Sequence, residues 1–355
     1  MARRLTRSGL GILSVRPATN DHLAAVRVGV SVAVPLAALL IAGRPDLSIY
    51  AVFGAFTGMY GRDERHQLRL YHQLTAAALL IAGVTTGAVL SAAQAGSWVL
   101  ILVESLAAGV GSLAADRANL KPVGPFFGIF ALGACASVPP IAPVPVVVAV
   151  AAASAGFSVA VGVAGGVWRR TSWEAGVRRV APSLTGARLR VAMIHALAYV
   201  LAVGSAGAAG QLTGDGHAYW AMAAAAVPLA GADFAGRIRR GLHRILGTFV
   251  GLGVTALILS QQPGAVLLVV LIAALQFPTE LFMTRHYGLA LVFFTPLILI
   301  MTELAHPTEP GILIAERGLE TLIGAVVGMA VAVLVLGRGS RTAGRHNRSA
   351  YREGR

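Results

Sequence analysis

Leu23-Ala-Ala-Val-Arg-Val-Gly-Val-Ser-Val-Ala-Val-Pro-Leu-Ala-Ala-Leu-Leu-Ile-Ala-Gly43 carries a single charge, Arg27, in an otherwise apolar run. As a helix rising about 1.5 Å per residue it is long enough to cross a hydrocarbon core of roughly 30 Å. Working outward from it, comparable apolar runs recur as far as Gly337. The chain has 355 residues, of which 56% are hydrophobic and 12% charged, against roughly 25% charged in soluble domains. So few charges cannot cover the surface of a soluble protein this long, and that class is excluded. The expected fold is all-α, a polytopic membrane protein of about twelve transmembrane helices.

Hydropathy and helix breakers place the spans at 23–43, 48–60, 72–92, 97–115, 123–138 and 144–167, then 190–210, 218–232, 243–260, 264–279, 286–302 and 317–336. The runs 48–60 and 218–232 are short for straight spanning helices. Short segments at corresponding places in two halves often mark transporter substrate sites. The expected organisation is a basic N-terminus 1–22, a first six-helix half 23–167, a basic linker 168–189, a second half 190–336 and an Arg-rich tail 337–355.

The net charge of +14 is first a statement about topology, because basic loops stay on the cytoplasmic side. With a cytoplasmic N-terminus, only Arg44 and Arg317 of the 29 Lys and Arg residues fall outside. The expected location is therefore the plasma (inner) membrane, multi-pass, with both termini cytoplasmic. The N-terminal Arg3, Arg4, Arg7 and Arg16 imitate a signal peptide, yet the run that follows is long enough to be an uncleaved first helix. The basic tail is suited to anionic lipid heads, making membrane lipid an expected partner and nucleic acid not.

Tyr50-Ala-Val-Phe-Gly-Ala-Phe56 through Arg69-Leu-Tyr-His72 resembles Tyr219-Trp-Ala-Met-Ala223 through Arg240-Gly-Leu-His243. Each has an aromatic at the outer start of a helix, a basic cluster at its inner end and then a small-residue helix. Tyr50 and Tyr219 are 169 residues apart, His72 and His243 171, and Gly83-Val-Thr85 and Gly253-Val-Thr255 170. The spacing points to a duplication, and an even number of spans per half makes it a parallel repeat. Gly247-Thr-Phe-Val-Gly251 and Gly324-Ala-Val-Val-Gly328 are small-residue faces for close helix packing within the chain or in a homo-oligomer, which they permit without requiring.

Several motifs carry a family likeness: Arg237-Ile-Arg-Arg-Gly-Leu-His-Arg-Ile-Leu-Gly-Thr-Phe-Val-Gly251, Arg285-His-Tyr-Gly-Leu-Ala-Leu-Val-Phe-Phe-Thr-Pro296 and Glu316-Arg-Gly-Leu-Glu-Thr-Leu-Ile-Gly324. Through them, and more weakly through Ala51-Val-Phe-Gly-Ala-Phe56, the chain resembles the FUSC (fusaric acid resistance-like) and aromatic acid exporter membrane proteins. The resemblance implies a bacterial inner-membrane exporter of aromatic or other organic acids. Many members of that family carry a large cytoplasmic domain between the halves, and Trp168 to Leu189 is too short to hold one. Plant aluminium-activated malate transporters are distantly similar, which keeps a passive anion channel open as an alternative. A non-transporting membrane scaffold is the third reading.

Candidate substrate or coupling residues follow from the cost of charge in a membrane. Glu104, deep in the fourth span, is either a proton-coupling carboxylate or a pairing partner for a neighbouring helix. Arg27 either pairs with Glu104 or an anion, or snorkels to the inner interface. Arg65, Arg69, Arg240 and Arg244 belong to two inner clusters that either attract organic anions or only set topology. Arg317 and Glu320 are three apart and are expected to pair locally, with a gating role as the alternative. Tyr50, Tyr219 and Trp220 read first as interfacial anchors and secondly as stacking partners for an aromatic substrate. Cys135 stands alone, His66, His72 and His243 lack metal-ligand spacing, and no GxxxxGK[ST] is present. No enzyme, cofactor or metal is therefore expected, and a small organic anion is the expected substrate.

Overall fold

The computed structural model describes residues 21–62, 64, 66–167, 185–213 and 218–336. It is helical throughout, with no strand among the described residues. The helices are α1 (Asp21–Ile41), α2 (Ser48–Ala55), α3 (His66–Ala92), α4 (Ser97–Ala118), α5 (Phe126–Ser137), α6 (Val144–Val167), α7 (Ala187–Leu212), α8 (Tyr219–Leu229), α9 (Phe234–Leu259), α10 (Ala265–Met283), α11 (Tyr287–Ala305) and α12 (Pro310–Val331).

The twelve expected spans correspond to these twelve helices, but only nine of the described helices are long and apolar enough to cross a membrane. The exceptions are α2, α5 and α8, with 8, 12 and 11 residues. Each is stopped locally. A 3-10 turn, Phe56–Met59, follows α2, and the chain then reverses at Gly61, whose φ of 66° suits glycine. Val138 in extended conformation followed by Pro139 and Pro140 ends α5. In α8, Pro228 stands at the last turn before a bend at Gly231.

These short helices survive in a membrane because they never meet lipid. Every residue of α2 and of α8 is buried. So is most of α5 and α11, which complete a central group of four. The longer helices surround them: α3 packs on α5 and α6, α9 on α11 and α12, α1 on α10, and α4 on α7. On α4 the large apolar side chains Leu102, Leu106 and Val110 are exposed, whereas Glu104, Ser105, Ala108 and Ser112 are buried. Lipid takes the apolar face and the protein interior takes the polar one, the reverse of a soluble helix.

Glycines set the spacing between the two groups. A Cβ at Gly54 of α2 would overlap the Ala151 carbonyl of α6. The same is true of Gly83 against Gly128, Gly247 against Gly288, and Gly324 against Ala221. The small-residue faces read from Gly247/Gly251 and Gly324/Gly328 are therefore packed inside the chain, with van der Waals contact between backbones as their gain.

The basic clusters differ from expectation in one respect. Arg237 to Arg244 are not in a loop but form the first three turns of α9, and Arg69 and His72 lie in the first turns of α3. For α9 the cause is a cap: the Asp233 carboxylate accepts from the Gly236 N–H at 2.7 Å, which starts the helix before the basic run. The expected linker also begins to be helical at Ala187, and its residues 168–184, like the N-terminus 1–20 and the tail 337–355, lie outside the described residues.

Gly324→Ala is expected to cost about 1–3 kcal/mol through overpacking against α8. Gly253→Ala, where nothing lies within 4 Å, should leave stability unchanged or slightly raised. Thermal unfolding of the two purified variants in detergent checks the contrast.

Candidate functional site

Where α5 and α8 stop short, space is left at both ends of the bundle. At the outer end a cavity of about 490 Å³ is bounded by the α3–α4 connection, the end of α5 and the start of α12, and it reaches Tyr219 and Arg317. At the opposite end a cavity of about 460 Å³ reaches Arg62, Arg240, Glu280, Tyr287, Phe126 and Phe294. Here "outer" denotes the end holding the α3–α4 turn.

Between the cavities stands a wall of aromatic rings contributed by the four central helices. Phe53 meets Phe130 edge-on at 5.8 Å, Phe130 meets Trp220 at 5.3 Å, and Phe56 and Phe126 lie 6.0 and 6.5 Å from Phe294. Edge and tilted arrangements of this kind place positive ring edges against negative faces. Tyr50, Tyr219 and Trp220 belong to this interior, exposed by 2%, 3% and 0%. The interfacial-anchor reading of those three is therefore corrected. They sit on short central helices that the other helices enclose, so none of them reaches the lipid interface.

Arg317 and Glu320 pair as expected, Nη1 donating to Oε2 at 2.5 Å, and Glu316 Oε2 lies 3.7 Å from the same guanidinium. The pair is not at a solvated helix end but buried, 5% and 1% exposed. The Arg317 guanidinium also lies over the Tyr219 ring at 4.8 Å and the Trp220 ring at 5.8 Å. Trp220 in turn donates its indole N–H to the Thr321 hydroxyl at 2.8 Å. One turn of α12 thus holds the cation, its counter-charge and the indole acceptor.

Glu104 is fully buried, with Oε2 close against Gly133 of α5 beside Tyr219. Its charge is within electrostatic reach of Glu320 and of Tyr219. Among the described residues neither of its oxygens has a hydrogen-bond partner, so the alternative in which Arg27 pairs with it is not formed. Arg27 lies on α1, which packs against α2, α6 and α10, whereas α4 packs against α5 and α7. The glycine at 133 leaves the space the carboxylate occupies.

The inner clusters divide by role. Arg69 donates from Nε to the Gly61 carbonyl at 3.1 Å and from Nη2 to the Glu64 carbonyl at 2.9 Å, holding the turn after α2 in place. Arg240 lies over the Tyr287 ring at 5.5 Å and lines the inner cavity. Arg244 is fully buried, over the rings of Trp220 and Phe126 at 5.3 and 5.6 Å. Arg65 lies outside the described residues. Of the residues proposed from sequence, Glu104, Tyr219, Trp220, Arg244 and Arg317 converge on the central wall and its margins.

Sequence reasoning missed the aromatic members Phe126, Phe130, Tyr287 and Phe294, and the buried pair Arg62–Glu280, whose Nη1 and Oε1 are 2.8 Å apart. The runs Phe126-Phe-Gly-Ile-Phe130 and Tyr287 to Pro296 hold those rings. A ring in an apolar run carries no sign of which way it faces. Among the described residues no group of three His, Cys, Asp or Glu side chains is placed to hold a metal ion.

Glu320→Gln should destabilise the protein by about 3–5 kcal/mol, because Arg317 stays buried without its nearest carboxylate. Glu104→Gln should cost far less, since it removes a carboxylate that has no hydrogen bond to lose among the described residues. The difference between the two melting temperatures in detergent reads this out.

Comparison with known proteins agrees with the likeness carried by the second-half motifs. Residues 204–331 match the family described as fusaric acid resistance protein-like. This stretch contains Tyr219, Trp220, Arg240, Arg244, Arg317 and Glu320, while Glu104 and Tyr50 lie outside it. Over 144 residues the chain is 30% identical to the "Uncharacterized membrane protein YvaC" of Bacillus subtilis (strain 168). That alignment takes in 40% of this chain and spans 23% of the relative's length. No solved structure matches the chain.

Proposed function

We propose that this multi-pass membrane protein is a secondary transporter that exports organic anions, aromatic acids among them, from a bacterial cytoplasm by alternating access. The observation that carries the reading is the pair of cavities entering from opposite ends, with aromatic side chains and a buried arginine between them. Side chains can move aside by rotation and small helix shifts. Arg240 at the inner cavity favours entry of anions from that side.

Two parallel six-helix halves, 23–167 and 190–336, fit this reading, and the helix pairings support them. α3 on α5 and α6 has its counterpart in α9 on α11 and α12, and α2 on α6 in α8 on α12. α4 on α7 and α10 on α1 exchange helices between the halves in the same way. A local detail also repeats: Arg69 Nε donates to the Gly61 carbonyl at 3.1 Å, and Arg237 Nε to the Gly231 carbonyl at 3.2 Å. The four buried short or central helices are then α2 and α5 of one half with α8 and α11 of the other. An axis between them along the membrane normal passes through the aromatic wall. The inner membrane, with both termini cytoplasmic, follows from the arginine bias of the loops.

Proton coupling is assigned to Glu104. It is the buried carboxylate without a hydrogen bond among the described residues, and it stands beside Tyr219 near the Arg317–Glu320 pair.

Efflux of labelled benzoate from proteoliposomes, with and without an imposed proton gradient, tests the proposal. Gradient-driven efflux that falls about tenfold or more in Glu104→Gln is the expected result. Flux indifferent to gradient and mutation would replace the exporter with a passive channel, and absence of flux for every acid tried would leave only a membrane scaffold.

A further inference from the structure

Three buried arginines stand at the margins of the two cavities, and two of them are neutralised. Arg317 has Glu320 at 2.5 Å and Arg62 has Glu280 at 2.8 Å. Arg244 has neither. Its side chain is fully buried, and among the described residues none of its three guanidinium nitrogens has a hydrogen-bond partner and no carboxylate forms an ion pair with it. The Tyr287 hydroxyl is near enough to accept a hydrogen bond from the guanidinium, though not in the close geometry of the bonds above, and a phenol is neutral and cannot balance the charge.

The position makes this costly. Arg244 lies ten residues into α9, about one turn beyond Arg240 and at the start of the apolar part of the helix. A charge there normally faces a partner or a cavity. The rings of Trp220 and Phe126 attract the cation to their faces. They offer nothing to the N–H hydrogens, which lie in the guanidinium plane. What remains unsatisfied is the planar fork that binds a carboxylate through two parallel hydrogen bonds.

The fork is one side chain away from the inner cavity and two from the outer one. Phe126 lines the inner cavity and also lies under the guanidinium. Tyr219 lines the outer cavity, and its neighbour Trp220 holds the guanidinium from the other helix. We infer that Arg244 is the buried binding group for a substrate carboxylate, bound edge-on through the guanidinium fork and gated by Phe126 toward the inner cavity. This deepens the transport reading and rests on it for the need of an anion between the cavities. With no anion bound, the two rings stabilise the charge; when one arrives, it gains a desolvated cation that needs no rearrangement of a competing ion pair.

The test is equilibrium binding of benzoate, acetate and the neutral isostere benzamide to the full chain in detergent, by calorimetry. The wild type should bind both carboxylates and not benzamide. Arg244→Gln should weaken benzoate binding about tenfold or more, whereas Arg240→Gln at the cavity wall should weaken it much less. Arg244→Lys, which keeps the charge without the fork, should lie between. It also decides the matter if the Gln variant does not fold, since unchanged affinity in the Lys variant would then overturn the assignment. Equal losses in the Arg240 and Arg244 variants, unchanged affinity in Arg244→Gln, equal binding of benzamide, or no carboxylate binding by the wild type would each overturn it. Arg244-dependent binding without flux in proteoliposomes keeps the site and removes transport. Flux with binding indifferent to Arg244 removes the site and leaves transport standing.

Discussion

Gly54 on Ala151, Gly83 on Gly128, Gly247 on Gly288 and Gly324 on Ala221 bring helix backbones together at four places, and the centre of the molecule depends on those contacts. Lipid provides no hydrophobic drive for one helix to leave it for another, so association rests on contact area and shape. A glycine removes the side chain that would hold two backbones apart. Here the glycines join outer helices to central ones: α3 to α5, α9 to α11, α12 to α8, and α6 to α2. The grip allows helices of 8 to 12 residues to sit at membrane depth with all their backbone ends inside protein rather than against hydrocarbon.

Shortness then has a consequence for charge. Where α5 and α8 end, the surrounding helices enclose cavities that water can enter from each face, and the polar groups of α3, α9, α10 and α12 point into or beside them. Arg62 and Glu280, and Arg317 and Glu320, settle as close pairs at the two margins. Glu104 and Arg244 lie deeper and are not matched among the described residues. An acid and a base on different helices, neither in an ion pair among the described residues, each lack the opposite charge that would offset burial.

The aromatic residues do two things in this arrangement. As rings they fill the space between the cavities through edge-to-face packing, as Phe130 does against Trp220 and Phe53. As π-systems they hold cations away from water without neutralising them, as Trp220 does for both Arg244 and Arg317. The same indole is anchored by Thr321, so α12, which carries the outer ion pair, also sets the ring that contacts the inner arginine. A shift of α12 relative to α9 would be felt at both cations, which links the two cavities physically.

Much of this was already legible in the chain. Apolar runs such as Leu23 to Gly43, interrupted by charge only where an interior must receive it, determined a helical membrane protein, because a bilayer accepts little else. Glu104 and Arg317 were recognisable as costly residues in costly places, and Gly247/Gly251 and Gly324/Gly328 as packing faces. The start of α9 was not: Asp233 caps it ahead of the basic run, and a cap is a three-residue geometry that hydropathy does not register. Tyr50, Tyr219 and Trp220 read as interfacial anchors because an aromatic at a helix end usually meets the headgroups. Only the packing of the helices reveals that their helices are enclosed. For the same reason sequence grouped Arg244 with Arg69 and Arg240, since all three are arginines near an inner helix end. The tertiary structure separated a turn clamp, a cavity wall and a buried unpaired cation, because the partners that distinguish them come from helices far away in the chain.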